Sequence, residues 1–270
     1  MKVETGGLAF EVDDRGDGPA VVLLHGWPDS HRLWRDQLPA LHAAGYRTIA
    51  PDLRGFGESA KPSAVEDYTL PTIVGDVLGI MDALGVASAP VVGHDWGAAV
   101  AWGLAAFAPD RVERLVALSV GHPAAFRGAG LEQREKSWYM LLFQFEGVAE
   151  EWLSADDFAN FRAWANHPDE DDVIADLRRP GALTAGLNWY RANLPPQSLL
   201  EPPPALPPVT APTMGVWSTS DIALTARQML DSAAYVTGPW RYEEIEGAGH
   251  WMQRDAPTEL NRLLVDFLTR

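Results

Sequence analysis

The sequence has no cysteine among its 270 residues. This absence excludes a disulfide scaffold, a thiolate metal site and a cysteine nucleophile, and it permits a reducing compartment. Basic residues are also few, because 21 Lys and Arg stand against 37 Asp and Glu, for a net charge of −16. Nucleic acid and anionic membrane surfaces repel a chain this acidic. We therefore expect neither among its partners.

Long hydrophobic runs are missing as well. The small and apolar run at residues 97–109 is well short of the roughly 18 residues that suggest a membrane span. Residues 1–5 show no basic start followed by an apolar stretch, so no signal peptide is expected. The seven histidines are scattered without metal-ligand spacing, and the one acidic run, residues 169–172, is interpreted as a solvated helix start or loop. A cytoplasmic protein is expected.

Strand-like and helix-like segments alternate along most of the chain. Short apolar runs predict buried strands, and apolar residues at helical spacing predict helices that end at a glycine. Such alternation implies an α/β fold with a parallel sheet covered by helices on both faces. The predicted strands are residues 20–24, 46–50, 89–92, 112–120, 214–217 and 241–245, and the predicted helices are residues 32–44, 70–84, 98–107 and 258–268.

The alternation breaks after Pro123. Residues 124–193 are rich in tryptophan, look mostly helical and contain no strand candidate. Eight of the 21 prolines then follow between Pro195 and Pro212, where neither a regular helix nor a central strand can form. We interpret this region as an inserted helical lid subdomain with a stiff connector. The predicted division is a core domain of residues 1–123 and 206–270, with the lid at 124–205.

The most informative motif is Gly93-His94-Asp95-Trp96-Gly97, between a predicted strand and a helix of small residues. This arrangement is typical of a nucleophile elbow, with Asp95 in the place of the usual serine. A carboxylate is ionised at neutral pH, needs no base to activate it, and suits displacement at a saturated carbon. Taken alone, Asp95 could instead cap the helix. The other motifs favour the catalytic role.

Four further residues complete the expected constellation. The motif at residues 25–28 follows the first buried strand, where a second oxyanion donor is supplied in this architecture, so the amides of Trp27 and Trp96 are the candidate donors. His250, in a glycine-rich turn after a strand, is the candidate base, and Asp221, at a strand end, is the candidate acid. Singly, each could be a structural turn residue. Their chain order of nucleophile, acid and base is typical of folds that carry a nucleophile elbow.

These motifs resemble those of the α/β-hydrolase-fold epoxide hydrolases over nearly the whole chain. The resemblance implies a mostly parallel sheet with helices on both faces and an inserted helical lid. The aspartate at the elbow narrows the choice of family within this fold to epoxide hydrolases and the related dehalogenases. The blocks that carry it are residues 25–28, 50–59, 93–97 and 249–251.

The resemblance also implies two lid tyrosines that hold and protonate the epoxide oxygen. Residues 187–191 are similar to the segment that carries the second of them, which nominates Tyr190. Residues 138–150 are similar to the segment that carries the first, which nominates Tyr139. The alternative is that both are amphipathic core tyrosines beneath a lid.

The expected reaction converts an epoxide and water into a vicinal diol. Asp95 attacks a ring carbon and forms an ester, which a water activated by His250 and Asp221 then hydrolyses. No metal or organic cofactor is needed. The expected partners are a small apolar epoxide and water, and homo-oligomer formation stays open. The side chains expected to line the substrate pocket are those of Trp27, Trp96 and Trp251.

Two alternatives remain at this point. A haloalkane or haloacid dehalogenase would use the same triad, and Trp96 would also suit a halide. However, Trp27 stands where many haloalkane dehalogenases have Asn, and Trp96 stands where the fluoroacetate type has Arg. The other alternative is a hydrolase-like scaffold that binds a small apolar ligand without turning it over. An intact nucleophile, acid and base argues against it.

Overall fold

A mostly parallel sheet of eight strands forms the centre of the structure, a computed structural model that describes residues 1–269. The strands are β1 (Lys2–Thr5), β2 (Leu8–Arg15), β3 (Ala20–Leu24), β4 (Arg47–Pro51), β5 (Ala89–His94), β6 (Val112–Leu118), β7 (Thr213–Ser218) and β8 (Trp240–Ile245). Their order in the sheet is β1-β2-β4-β3-β5-β6-β7-β8. The pairs β1–β2 and β2–β4 are antiparallel, and every later pair is parallel.

Helices connect these strands. The α-helices are α1 (Leu38–Ala43), α2 (Leu70–Ala83), α3 (Trp96–Phe107), α4 (Pro123–Gly128), α5 (Leu131–Lys136), α6 (Trp138–Leu142), α7 (Val148–Ala165), α8 (Glu170–Leu177), α9 (Ala182–Asn193), α10 (Ala226–Asp231), α11 (Met252–Asp255) and α12 (Pro257–Leu268). Short 3₁₀ helices lie at His31–Asp36, Val65–Tyr68, Pro109–Arg111, Pro196–Leu200 and Ser232–Tyr235. None of the helices within residues 1–269 combines the length and the hydropathy that crossing a bilayer requires.

The centre of the sheet is buried on both sides. All six residues of β5 are buried, and because successive side chains of a strand point to opposite faces, both faces of the sheet are covered there. The predicted α/β architecture is thereby confirmed. Since β3, β5, β6 and β7 are parallel neighbours, their carboxyl ends meet at one edge of the sheet. Residues that follow these strands are therefore brought together.

Two sequence predictions differ from the structure. The hairpin of β1 and β2 was not predicted, because β2 is half-buried and carries charged residues that interrupt its apolar pattern. The single helix predicted at residues 32–44 is two helices, the 3₁₀ helix His31–Asp36 and α1. Pro39 lies in the first turn of α1, where a residue without an N–H can begin a helix but not continue one.

Between β6 and β7 the described chain forms helices and loops, apart from an isolated bridge between Val209 and Val236. This inserted segment, residues 123–200, packs on the core through α9. The indole of Trp189 donates a hydrogen bond to the carbonyl of Arg54 at 2.9 Å, and the Arg54 guanidinium is itself held by Asp76 in a buried two-point ion pair. The acidic run is not simply solvated, because Asp169 precedes α8 and pairs with Arg35 and Arg254.

Candidate active site

Asp95 lies in a strained turn between β5 and α3. Its backbone has φ 52° and ψ −122°, a conformation that residues other than glycine rarely adopt. The turn is possible because its flanking residues lack a Cβ. A Cβ on Gly93 would lie 2.2 Å from the carbonyl oxygen of Gly97, and one on Gly97 would lie 2.1 Å from that of Leu24. The strand and helix therefore approach closely enough to present the Asp95 side chain at the sheet edge.

One oxygen of the Asp95 carboxylate is held by a backbone amide. The Trp27 N–H donates to Oδ1 at 2.9 Å. Gly26 permits this contact, since a Cβ there would lie 2.3 Å from the same oxygen. The Trp96 amide stands at the first position of α3, where helix geometry leaves the N–H without an intrahelical acceptor. Of the two predicted donors, the Trp27 amide contacts the carboxylate directly, and the Trp96 amide follows Asp95 in the chain.

The loop that carries the Trp27 amide is fixed by His25. Its Nε2 accepts a hydrogen bond from the Leu53 amide at 2.9 Å, and its Nδ1 lies 2.9 Å from the Gly26 carbonyl. Because Nε2 accepts, the proton is on Nδ1, which donates to that carbonyl. Burial lowers the pKa of His25. The neutral ring therefore acts as a spacer between the loops that follow β3 and β4.

His250 lies between two carboxylates. Its Nδ1 is 3.1 Å from Oδ2 of Asp221, and its Nε2 is 3.7 Å from Oδ2 of Asp95. Burial opposes a charge on this ring, but Asp221 and then Asp95 outweigh it and raise the pKa of His250 to about 10. In the free protein His250 is therefore an imidazolium at neutral pH.

Asp221 is itself strongly hydrogen-bonded. Its Oδ1 accepts from the amides of Ala223 at 2.8 Å and Leu224 at 2.9 Å, and its Oδ2 accepts from the Ser119 hydroxyl at 2.6 Å. Burial would raise the pKa of Asp221, but His250 and these donors hold it below its usual value. The carboxylate is thus kept ionised and in one orientation beside the imidazole.

Tyr139 and Tyr190 approach the same place from α6 and α9. Both side chains are buried, their ring centroids are 6.0 Å apart, and the Tyr190 ring lies edge-on to Trp96 at 5.1 Å. Burial, reinforced by the nearby charge of Asp95, raises the pKa of both hydroxyls well above the ordinary value. A hydrogen bond from the Trp96 indole opposes part of this rise at Tyr190.

Two cavities meet at Asp95. The larger, of about 230 Å³, is bounded by α3, α4, α9 and the proline-rich connector, and the smaller has a volume of about 20 Å³. Of the predicted pocket residues, Trp96 lines the larger cavity, whereas Trp27 and Trp251 line the smaller. Asp95 and Tyr190 border both. The structure thus brings all of the sequence-predicted site residues together.

Three neighbouring residues had no recognised signal in the sequence. Ser119 follows β6 with φ 69° and lies 3.0 Å from Nδ1 of His250. His94 has a pKa lowered to about 4, by burial and then by the charge of His250, so its ring is neutral and its Nε2–H donates to the His250 carbonyl at 2.9 Å. Asp29 accepts a hydrogen bond from the indole of Trp251 at 2.9 Å. His94 lies within the motif at residues 93–97, and Asp29 directly follows the motif at residues 25–28. Ser119 lies in no motif, and only the strand order shows that it is near His250.

Comparisons with known proteins agree with this geometry. The family model described as alpha/beta hydrolase fold matches residues 19–257. The chain is 33% identical to Epoxide hydrolase A of Mycobacterium tuberculosis, covering 99% of this chain and 96% of that protein, and 36% identical to Epoxide hydrolase 3 of Xenopus tropicalis, covering 99% and 77%. It superposes on an epoxide hydrolase of Bacillus megaterium, crystallised with an inhibitor, with a TM-score of 0.91, 25% identity and full coverage of both chains.

The chain therefore belongs to the α/β-hydrolase-fold family. An epoxide hydrolase from metagenomes of hot environments is also similar, with a TM-score of 0.89 and 31% identity over 99% of this chain and 97% of that one. Within the family, the protein is an enzyme of the epoxide hydrolase group, as the resemblance predicted.

Proposed function

We propose that the protein opens an epoxide to a vicinal diol through an ester between the substrate and Asp95. The observation that carries this proposal is that the two carboxylate oxygens of Asp95 have different contacts. Oδ1 accepts a hydrogen bond from the Trp27 amide at 2.9 Å, whereas Oδ2 lies 3.7 Å from Nε2 of His250, and Asp95 borders both cavities. Oδ2 is therefore the oxygen available to attack a ring carbon. Oδ1 is placed to receive negative charge when the ester is later hydrolysed.

Ring opening needs an acid at the epoxide oxygen. As Oδ2 of Asp95 bonds to a ring carbon, the carbon–oxygen bond of the ring breaks, and its electron pair passes to the oxygen. Tyr139 and Tyr190 hydrogen-bond that oxygen and one of them transfers its proton to it. Burial raises the pKa of both hydroxyls, so they keep their protons at neutral pH and can donate hydrogen bonds to that oxygen. The tyrosinate formed is reprotonated from water later in the cycle.

Hydrolysis of the ester requires His250 to become a base. In the free protein the charge of Asp95 contributes to the high pKa of His250. Esterification removes that charge, so the pKa of the imidazole falls and the imidazolium releases its Nε2 proton to solvent, which returns a proton to the tyrosinate. The neutral His250 then deprotonates a water that attacks the ester carbonyl carbon of Asp95. The amides of Trp27 and Trp96 stabilise the oxyanion, and the departing alkoxide takes the proton from His250 to give the diol. The released Asp95 carboxyl then passes its proton to the imidazole, which restores the resting state.

The inserted segment covers this site. We assign residues 124–205 to a lid and residues 1–123 and 206–270 to the core that carries Asp95, Asp221 and His250. The lid contributes both tyrosines, and its aromatic and aliphatic side chains give the larger cavity a mostly apolar lining. This lining supports an uncharged, apolar substrate. The scheme uses no metal or organic cofactor.

Cleavage of a carbon–halogen bond by the same triad is the competing reaction. A departing halide is stabilised by N–H donors, and the indole N–H of Trp96 is the nearest one on α3. The Trp96 indole adjoins the Tyr190 ring, with ring centroids 5.1 Å apart, and its influence lowers the pKa of the Tyr190 hydroxyl. A tyrosine hydroxyl beside this indole favours an epoxide oxygen over a halide as the group that is bound.

A single turnover in heavy-oxygen water tests the ester route. With enzyme in excess over an epoxide, the first diol should carry unlabelled oxygen from Asp95, and the label should appear in the Asp95 carboxylate. Mass spectrometry of the peptide containing Asp95 measures this. Label in the first diol but not in Asp95 would show direct attack by water. Halide release from chloroalkanes, without diol from any epoxide, would assign the dehalogenase reaction instead.

A further inference from the structure

The two cavities that meet at Asp95 differ greatly in size. The larger has a volume of about 230 Å³ and the smaller about 20 Å³. A cavity of about 150 Å³ already holds benzene, whereas a single water needs roughly 10–15 Å³. The larger cavity therefore accommodates an aryl group or a medium alkyl chain. The smaller one has room for about one water molecule.

Two of the proposed catalytic side chains border only one of these cavities. His250 and Tyr139 line the smaller cavity, and neither lines the larger. Since His250 must reach the water that hydrolyses the ester, that water belongs in the smaller cavity. A substrate substituent placed there would occupy the position of the water. Only one side of Asp95 is then free for the body of the substrate.

We infer that the preferred substrates are terminal epoxides with one apolar substituent, which lies in the larger cavity while the smaller is reserved for the hydrolytic water. This inference rests on the proposed function. It adds a substrate class: monosubstituted epoxides are accepted, and epoxides with a second substituent on the other ring carbon are excluded by lack of space.

Aromatic packing keeps the smaller cavity small. The Trp27 indole fills the space beneath the inserted segment, with ring centroids 5.3 Å from Phe143 and 6.0 Å from Trp164. Gly186 of α9 allows this close approach, because a Cβ there would lie 2.8 Å from the indole. Trp164 in turn packs on Tyr139 at 4.6 Å. A smaller side chain at either tryptophan position would enlarge the space beside His250.

The larger cavity favours an uncharged substituent. Its lining is mostly aliphatic, with Leu70, Val120, Met140, Leu194 and Leu206 among its residues. Besides Asp95, Arg127 is the charged side chain among the described residues that line it. The guanidinium of Arg127 donates to the Ser198 carbonyl and lies 3.9 Å from the Glu201 carboxylate. The charge of Arg127 is thus already balanced by Glu201.

A series of three substrates with a common phenyl group tests the inference. Styrene oxide has no second substituent, trans-β-methylstyrene oxide adds a methyl group, and trans-stilbene oxide adds a second phenyl. We expect kcat/KM to fall by roughly 10–200-fold at the methyl group, and trans-stilbene oxide not to be turned over. Chromatography of the diols measures all three rates under the same conditions.

Trp164→Ala is the variant that should relax this selectivity. It removes an indole from the wall of the smaller cavity but leaves Asp95, His250, Asp221 and both tyrosines in place. The ratio of kcat/KM for trans-β-methylstyrene oxide to that for styrene oxide should rise at least tenfold. Trp138→Ala is the matched control. Trp138 also lies in the inserted segment and packs on Trp164 at 5.9 Å, but it lines neither cavity, so the ratio should not change.

Leu206→Trp provides a second variant, in case Trp164→Ala does not fold. Leu206 lies in the connector and lines the larger cavity, so an indole there should reduce kcat/KM for styrene oxide at least tenfold while propylene oxide is still hydrolysed. Similar rates on styrene oxide and trans-stilbene oxide would overturn the inference and leave the proposed function intact. Hydrolysis of none of these epoxides would overturn the proposed function itself.

Discussion

Oδ2 of Asp95 lies 3.7 Å from Nε2 of His250, whereas Nδ1 of the same imidazole lies 3.1 Å from Oδ2 of Asp221. The first distance exceeds that of a hydrogen bond, and the second corresponds to one. His250 is therefore oriented by Asp221 and stands apart from Asp95. In the proposed mechanism, this separation leaves Oδ2 of Asp95 free to react. It also leaves Nε2 of His250 free to approach a water after the proposed ester has formed.

His250→Gln should separate the two halves of the reaction. The variant retains the nucleophile and both tyrosines, so alkylation of Asp95 should proceed, whereas ester hydrolysis should slow by about 10²–10⁴-fold for a lost general base. Intact-mass spectrometry after mixing with styrene oxide should show one substrate added to each protein. Asp95→Asn is the control and should show no addition. Rapid turnover by His250→Gln without an adduct would contradict the assignment of His250.

The protonation of His250 should depend on Asp95. The pKa of His250 is raised to about 10, so its ring should stay charged at pH 8 in NMR titrations of the free protein. Asp95→Asn removes one of the two carboxylates and should lower that pKa. A titration near the ordinary value of about 6.5 in both proteins would contradict this electrostatic account.

The same shift has a consequence for stability. Because the pKa of His250 is higher in the folded state, its contribution to the free energy of unfolding is complete below the unfolded pKa of about 6.5. It is lost as the pH rises toward about 10. Urea unfolding at pH 7 and pH 10 should therefore show a smaller decrease for Asp95→Asn than for the natural protein.

Sequence reasoning grouped Asp95, Asp221 and His250 because each lies in a local motif. Asp95 is in a glycine-flanked turn, and Asp221 and His250 follow predicted strands, so their meeting at one sheet edge follows from the parallel order of β5, β7 and β8. Their catalytic roles stay predictions. Ser119 could not be found in this way. A serine with positive φ at the end of β6 has no local signature, and its partner Asp221 is 102 residues away.

The sizes of the two cavities could not be predicted from the sequence either. Trp27 was expected in the pocket, but the reduction of one cavity to about 20 Å³ depends on how its ring packs with Phe143, Trp164 and Gly186 of the inserted segment. These contacts join residues more than 100 positions apart. Composition predicts an apolar pocket. Its division into two unequal cavities is set by tertiary packing alone.

Removal of either tyrosine hydroxyl should slow ring opening. Tyr190→Phe and Tyr139→Phe each keep the buried ring but lose a donor to the epoxide oxygen, and each should reduce the alkylation rate by about 10²-fold. The double variant should lose more than either single variant. Pre-steady-state fluorescence of the neighbouring tryptophans measures alkylation directly. If Tyr139→Phe alkylates at the natural rate, Tyr139 is a core tyrosine and Tyr190 is the acid.

Ser119→Ala should impair ester hydrolysis more than alkylation. The variant removes the 2.6 Å hydrogen bond to Oδ2 of Asp221 and leaves its contacts with the amides of Ala223 and Leu224. A hydrogen bond to a charged group contributes about 1.5–3 kcal/mol, so the hydrolysis rate should fall about tenfold or more. Its pH profile should also shift, because the pKa of Asp221 would rise.

Ser232→Ala is the control for this effect. Ser232 is equally buried and makes two hydrogen bonds, with the His122 amide and the Gln228 carbonyl, but does not contact the triad. Its hydrolysis rate and pH profile should match those of the natural protein. An equal loss in both variants would mean that Ser119 acts through general stability and not through Asp221.

Asp29 should be essential for stability because it joins three parts of the fold. Its carboxylate follows β3 and lies 3.2 Å from Nε2 of His167 in the inserted segment. It also accepts a hydrogen bond from the indole of Trp251, the residue after His250. Asp29 is 4% exposed. Asp29→Ala leaves two buried polar partners unpaired and should reduce the free energy of unfolding by about 1–3 kcal/mol for each of them. Urea unfolding at pH 7 measures this loss. Asp13→Ala, which breaks an ion pair with the exposed Arg15, should leave the unfolding midpoint nearly unchanged, and equal midpoints for the two variants would contradict the role assigned to Asp29.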